Sequence, residues 1–129
     1  MPLISKIEAN GWGPWSEKAG VVYAHAPASA LSRVIALRVH LDESTSENGP
    51  LRVIPGSHMN GVLTDDAVAE IAATHSDVEC PVPRGGILAM RPLLIHASSK
   101  AICPAPRRVL HIEYVDSLDI APGMRLATV

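Results

Sequence analysis

The sequence predicts an all-β fold, mainly β with one short helix, of the β-sandwich or jelly-roll kind. Three observations lead there. Short apolar runs recur along the chain, several of them bounded by Gly, Pro and Asn turn signals. Val34–Leu41 alternates between residues suited to two different faces, the period of a strand. Only one stretch, AVAEIAA from Ala67 to Ala73, has the character of a helix.

Residues 1–20 are mixed, with Gly11, Gly13 and Pro14 around Trp12 and Trp15, and read as an irregular arm anchored by its tryptophans. Val21–His25 is a short strand candidate. Val34–Leu41 and Leu51–Ile54 are stronger ones, joined through the turn signal Asn48-Gly49-Pro50. Pro55-Gly56 stops the second of these. Thr64-Asp65-Asp66 caps the helix, since a threonine oxygen accepts from free first-turn amides and acids favour the positive helix end. Pro81, Pro83, Gly85 and Gly86 then break the chain. Two further apolar runs, Ile87–Met90 with Leu93–Ile95 and Val109–Tyr114, read as buried strands. Five or six strands and one helix suit a cupin-like jelly roll.

Composition narrows the function classes. At 129 residues, 47% hydrophobic and 19% charged, the chain is a globular single domain. A formal charge of −2 provides no electrostatic case for nucleic acid or an anionic membrane surface. No run reaches membrane-spanning length and the N-terminus lacks a signal-peptide pattern, so a cytoplasmic location is the expectation. Cys80 and Cys103 make neither a disulfide framework nor a zinc site. With no Phe, two Trp and two Tyr, the core gains less area per residue than usual, which points to a partner chain.

The segment Gly86–Tyr114, GILAMRPLLIHASSKAICPAPRRVLHIEY, concentrates the chemistry. His96 ends one apolar run and Arg107-Arg108 precede the next. If the two runs pair antiparallel, a metal ligand and a fixed cation lie close together. That suits a divalent metal holding one end of an acidic cosubstrate while an arginine grips the far carboxylate. Alternation along the earlier strand places Arg38, His40 and Asp42 on one face and Leu37, Val39 and Leu41 on the other. The polar face is either solvent-facing or the lining of a ligand cavity, where charges are costly unless they bind something.

The runs HLDESTSENGPLRVIPGSHMNGVL, GGILAMRPLLIHASSK and PRRVLHIEY together resemble the phytanoyl-CoA dioxygenase family, over roughly residues 11 to 116. The resemblance implies a double-stranded β-helix, here a partial one, and an oxygenase dependent on iron(II) and 2-oxoglutarate. By position it makes His96 the last of three iron ligands. Arg107, eleven residues on, becomes the 2-oxoglutarate anchor, with Arg108 its competitor because alternation lets only one point inward. In the family, the iron is held by two histidines and a carboxylate, and the cosubstrate is decarboxylated as a small molecule is hydroxylated.

The departure from the family pattern matters equally. The family's His-x-Asp segment belongs on a strand before the Asn-Gly-Pro-Leu turn, and Trp12–Trp15 with Lys18–Val21 look like the stretch downstream of that segment. The chain is therefore expected to correspond to the C-terminal part of the barrel, without two of three ligands, and not to be independently catalytic. A literal His-x-Asp, His40-Leu41-Asp42, offers an alternative triad with His96, but it falls one strand late. Catalysis through that triad, or through a site completed by another chain, stays open beside a non-catalytic role with an anion pocket at Arg107 and Arg38.

The remaining candidates are Ser57 and His58 behind the Pro-Gly turn, as loop hydrogen bonders or substrate contacts. His111 beside Glu113 reads as structural, and His25 and His75 as surface residues. Cys103 reads as inert. A small-molecule substrate is expected, with no nucleic acid and no membrane. So is a homodimer or higher oligomer that covers an exposed sheet edge.

Overall fold

In the computed structural model, which describes residues 1–128, strands form wherever an apolar run is closed off by turn residues. They are β1 (Pro2–Leu3), β2 (Trp15–Lys18), β3 (Val21–Ala24), β4 (Val34–His40), β5 (Leu51–Val53), β6 (Val78–Cys80), β7 (Ile87–Met90), β8 (His96–Ser98), β9 (Val109–Val115), β10 (Asp119–Ala121) and β11 (Met124–Arg125). Two helices, α1 (Ala28–Leu31) and α2 (Asp65–Thr74), and a 3₁₀ turn at Ser57–Asn60 complete the elements. The mainly-β class is as expected. The strands outnumber expectation because the additional ones run two to four residues, too short for alternation to register. No helix among the described residues is long and apolar enough to cross a membrane.

Contacts divide the chain into two compact units, Met1–Val34 with the described residues from Val115 on, and Ile35–Tyr114. In the first, an antiparallel sheet in the order β1-β3-β2 takes up much of what reads as an irregular arm. The β2–β3 link has positive φ at both Ala19 (51°) and Gly20 (76°), as a type I′ hairpin requires. Its core is Leu3, Ala24, Ala26, Ala30, Ile120 and Met124, with Trp12 and Trp15 packed against it. Burial anchors the arm through those indoles. Arg33 ties the β10 segment down, its Nε donating to Asp116 Oδ1 at 2.8 Å and Nη1 to the Ile120 carbonyl at 2.9 Å.

In the second unit, two three-stranded sheets, β7-β4-β9 and β6-β5-β8, share a core of Ala36, Leu51 and Met90, flanked by Val53, Cys80, Leu88 and Leu94. Here one sequence expectation needs correction. The runs Ile87–Met90 and Val109–Tyr114 do not pair with each other, because β4 lies between them. Leu93–Ile95 is not a strand either. Pro92 interrupts the run, and the strand that resumes at His96 joins β5 in the other sheet, with His96 opposite Val53. Both runs are also less buried than expected, with Ile87 59% and Tyr114 52% exposed.

Two loops fix the register of this unit. Asn48 is buried, its amide donating to the Glu43 carbonyl at 2.8 Å while its Oδ1 accepts from Thr45 N at 2.8 Å. Gly49 comes next at φ +79°, where a Cβ would come within 2.5 Å of the Ser99 carbonyl oxygen. No side chain fits there. Ser57 is buried as well, donating to the Ile54 carbonyl at 2.7 Å and accepting from Ile95 N at 2.8 Å. Leaving that amide unpartnered would cost about 1–3 kcal/mol. Helix α2 begins as its sequence implies, with Thr64 Oγ1 accepting from Ala67 N.

Candidate functional site

Strand β4 is the base of the site. Val34, Ala36 and His40 are buried, so its even-numbered residues face inward, with the apolar Ile35 and Leu41 left exposed. Main-chain bonds hold the end of the strand on both sides. His40 N donates to the Gly86 carbonyl at 2.9 Å, and the His40 carbonyl accepts from Gly85 N at 2.7 Å. Leu41 N donates to the Arg108 carbonyl at 3.0 Å, which brings the twin arginines alongside. A Cβ on Gly86 would meet the Val82 side chain at 2.7 Å and the Pro83 carbonyl oxygen at 2.9 Å, so the turn that closes on Gly86 has no room for a side chain there.

The twin arginines separate cleanly. Arg108 turns to solvent and grips Asp42, Nε to Oδ2 at 2.8 Å and Nη2 to Oδ1 at 2.9 Å, while its own backbone N–H adds a third bond to Oδ2 at 2.9 Å. These bonds, with the nearby charge of Arg84, hold the Asp42 carboxyl far below the usual carboxylate range. Arg107 is half-buried on the other side. Its charge acts on both Arg38 and His40. Of the two, Arg107 is the less exposed.

His40 is 2% exposed, and neither ring nitrogen has a hydrogen-bond partner. Burial lowers its pKa, the charges of Arg38 and Arg107 lower it further, and the main chain of Asp42 pulls slightly the other way without completing a bond. The ring is therefore neutral at pH 7. Arg38 is half-buried with an unpartnered Nε, and burial followed by the charge of Arg107 lowers its pKa from the usual guanidinium value. Ser44, at the isolated bridge to Val82, also buries an unpartnered hydroxyl.

His96 opens β8 and is exposed. Its Nδ1–H donates to the Leu94 carbonyl at 2.7 Å, which leaves Nε2 as the basic nitrogen, the usual preparation of a metal-binding imidazole. Among the described residues, however, no three His, Cys, Asp or Glu side chains converge to hold a metal ion. Both Asp42 oxygens already accept from Arg108. In this conformation His40, Asp42 and His96 are not gathered at one point.

Ser57 is spent on backbone bonds, and His58 is half-buried in the 3₁₀ turn. His111 lies 3.5 Å from Glu113, and His25 and His75 are exposed. Cys80 and Cys103 are free thiols, with burial raising the pKa of Cys80. Sequence reasoning missed Arg84 and Ser44. Both lie in loops joined by long-range backbone bonds, Gly85 and Gly86 to His40 and Ser44 to Val82, and no local pattern announces either.

The comparisons with known proteins agree with this architecture. The phytanoyl-CoA dioxygenase (PhyH) family model matches residues 4–109. The L-proline trans-4-hydroxylase of Streptomyces griseoviridis is 27% identical over 133 aligned positions, covering 83% of this chain and 49% of that protein. The ectoine dioxygenase of Sphingopyxis alaskensis is 30% identical over 104, covering 64% and 34%. A crystal structure of that enzyme, EctD, with bound Fe superposes with a TM-score of 0.57 at 33% identity, over 69% of this chain and 34% of that one. Another holds 2-oxoglutarate and 5-hydroxyectoine, with a TM-score of 0.57 at 34% identity, over 65% and 31%. The chain thus spans about half or less of the length of these relatives. With the family model matched over most of the sequence and relatives of jelly-roll type that bind iron and 2-oxoglutarate, the chain belongs to the phytanoyl-CoA dioxygenase family.

Proposed function

We propose that this chain is a relative of the family's small-molecule hydroxylases that carries the cosubstrate side of the site without a facial triad of its own. His96 supplies one iron ligand through Nε2, and Arg107 pairs with the far carboxylate of an acidic cosubstrate. In this reading residues 1–129 are not independently catalytic, and hydroxylation requires two further ligands from another polypeptide segment. The observation that carries it is the division of labour at the end of β4. Asp42, the one carboxylate in the His-x-Asp pattern, is held by Arg108 through three bonds, while Arg107 keeps no carboxylate partner among the described residues.

The alternative, a triad of His40, Asp42 and His96, would require Asp42 to give up its bonds to Arg108. Anaerobic titration with iron(II) and 2-oxoglutarate separates the two. The first reading expects no visible charge-transfer band from the chain alone. A band that disappears in His40→Ala would establish the second. The first reading also includes self-association. Ile35, Leu41 and Ile87 are exposed on the outward side of β4 and β7, where Val39 stands opposite Ile87, and a second copy of the chain would cover them.

A further inference from the structure

Strand β9 ends its sheet. The order is β7-β4-β9, so among the described residues no strand lies beyond it. An open edge presents unpaired N–H and C=O groups to any other chain, and proteins usually blunt it with Pro, Lys or a very short strand. The seven residues of β9, VLHIEYV, include neither Pro nor Lys. Leu110, His111, Glu113 and Tyr114 are all exposed, so both faces of this edge strand are open.

The main chain of β9 divides by parity. Arg108, just ahead of the strand, turns its carbonyl to Leu41 N at 3.0 Å and its own N–H to Asp42 Oδ2 at 2.9 Å. In an extended chain the N–H and C=O of one residue point to the same side, and successive residues alternate. The even-numbered residues therefore spend their main-chain groups on β4, while His111 and Glu113 direct theirs to the free edge. The side chains are arranged about Ile112. One step out, an imidazole mirrors a carboxylate, with His111 Nε2 3.5 Å from Glu113 Oε1. Two steps out, Leu110 mirrors Tyr114.

We propose that β9 pairs antiparallel with β9 of a second copy of this chain, about a twofold axis at Ile112. The inference rests on the self-association read above, and adds a contact along the sheet edge that is separate from the outward side of β4 and β7. In this register His111 faces Glu113 of the second copy at a pair that exchanges both main-chain bonds, and the twofold makes the same pair again. Donor meets acceptor there, and each carboxylate gains a second imidazole beside its own. At the intervening pairs antiparallel side chains stand closer. Those places fall to Ile112 against itself and Leu110 against Tyr114, so the close pairs are the apolar ones. Moving the axis to His111 or Glu113 would set like groups opposite each other and shorten the overlap. The strand is complementary to itself in one register.

The test is residue-resolved amide hydrogen exchange of the full chain, carried out at high micromolar concentration and in dilute solution. The amides of Leu110, Ile112 and Tyr114 should be protected at both, through β4. Those of His111 and Glu113 should be protected only in the concentrated sample. Free exchange at these two in a sample that sediments as an oligomer would overturn the edge pairing and leave the outward-face contact standing. Protection that persists in a monomer would overturn it too, since the chain itself would then cover the edge. A monomer at both concentrations would sink both contacts. Three substitutions at one position read the register. His111→Glu sets carboxylates opposite each other at both symmetry-related pairs and should weaken the edge contact by about tenfold. His111→Lys, which offers Glu113 a cation, should keep it. His111→Pro removes a free-edge N–H, leaves the β4 side bonded, and should abolish it. Association in His111→Glu equal to that of the unsubstituted chain would overturn the register. Ile87→Glu, on the far edge strand β7, should leave protection at His111 and Glu113 unchanged. Protection lost in that variant would assign the contact to the outward face instead. The parity pattern of the unsubstituted chain needs no variant, so the proposal stays testable if a substitution prevents folding.

Discussion

Asp42 and His40 stand two residues apart at the end of one strand, and their surroundings give them opposite chemistry. Asp42 is ionised and saturated by Arg108, whereas His40 is neutral and unpartnered. The Asp42 pair leads to a pH prediction. Its folded pKa is depressed, first by the Arg108 side-chain hydrogen bonds. The resulting stability is therefore fully present above the unfolded carboxyl value of about 3.9 and is lost as pH falls through the folded one. From about pH 4 downward, the chain should lose stability more steeply than Arg108→Gln, in which Asp42 titrates closer to its free value. Urea midpoints taken across that range check this, and parallel curves for the two proteins would show that the pair contributes nothing.

At the scale of elements, local chemistry decides where it acts alone. The Thr64 cap and the acids behind it start α2 where the sequence places it, and Asn48-Gly49-Pro50 makes the turn it announces. The β2–β3 hairpin shows the same logic with one flaw. Its first turn position, Ala19, holds φ 51° although it carries a Cβ. Asn tolerates this backbone much better than Ala, so Ala19→Asn should stabilise its unit by an amount on the order of 1 kcal/mol. The expected reading is a higher urea midpoint with an unchanged m-value; a lower midpoint would show that the turn needs something other than left-handed tolerance. Short strands were hidden from the sequence because two to four residues carry no period, and Leu93–Ile95 misled because apolar character alone does not survive Pro92.

For the whole molecule, the two units each bury their own core, Leu3 with Met124 in one and Ala36 with Leu51 and Met90 in the other. Large apolar side chains nevertheless stay exposed in Ile35–Tyr114, among them Leu41 at 48% and Leu110 at 51%. A monomer seldom leaves so much apolar surface on one sheet in water. Sedimentation velocity at high micromolar concentration should therefore show a dimer or larger species, and Ile87→Glu, which puts a charge on the outward side of β7, should shift it toward monomer. A single monomeric boundary for the unsubstituted chain would sink the self-association.

The sequence by itself determined the mainly-β class, the long strand beginning at Val34, the capped helix, the Asn-Gly-Pro turn and the family resemblance. Each of these rests on short-range chemistry: alternation, a capping oxygen, a left-handed backbone, or a motif read along the chain. Tertiary structure alone decided that β4 separates β7 from β9, that Arg108 rather than Arg107 neutralises Asp42, and that the polar side of β4 is the buried one. The Asp42–Arg108 bond joins residues 66 apart. Which of two adjacent arginines finds a carboxylate depends on which strand lies alongside, and no local pattern contains that choice.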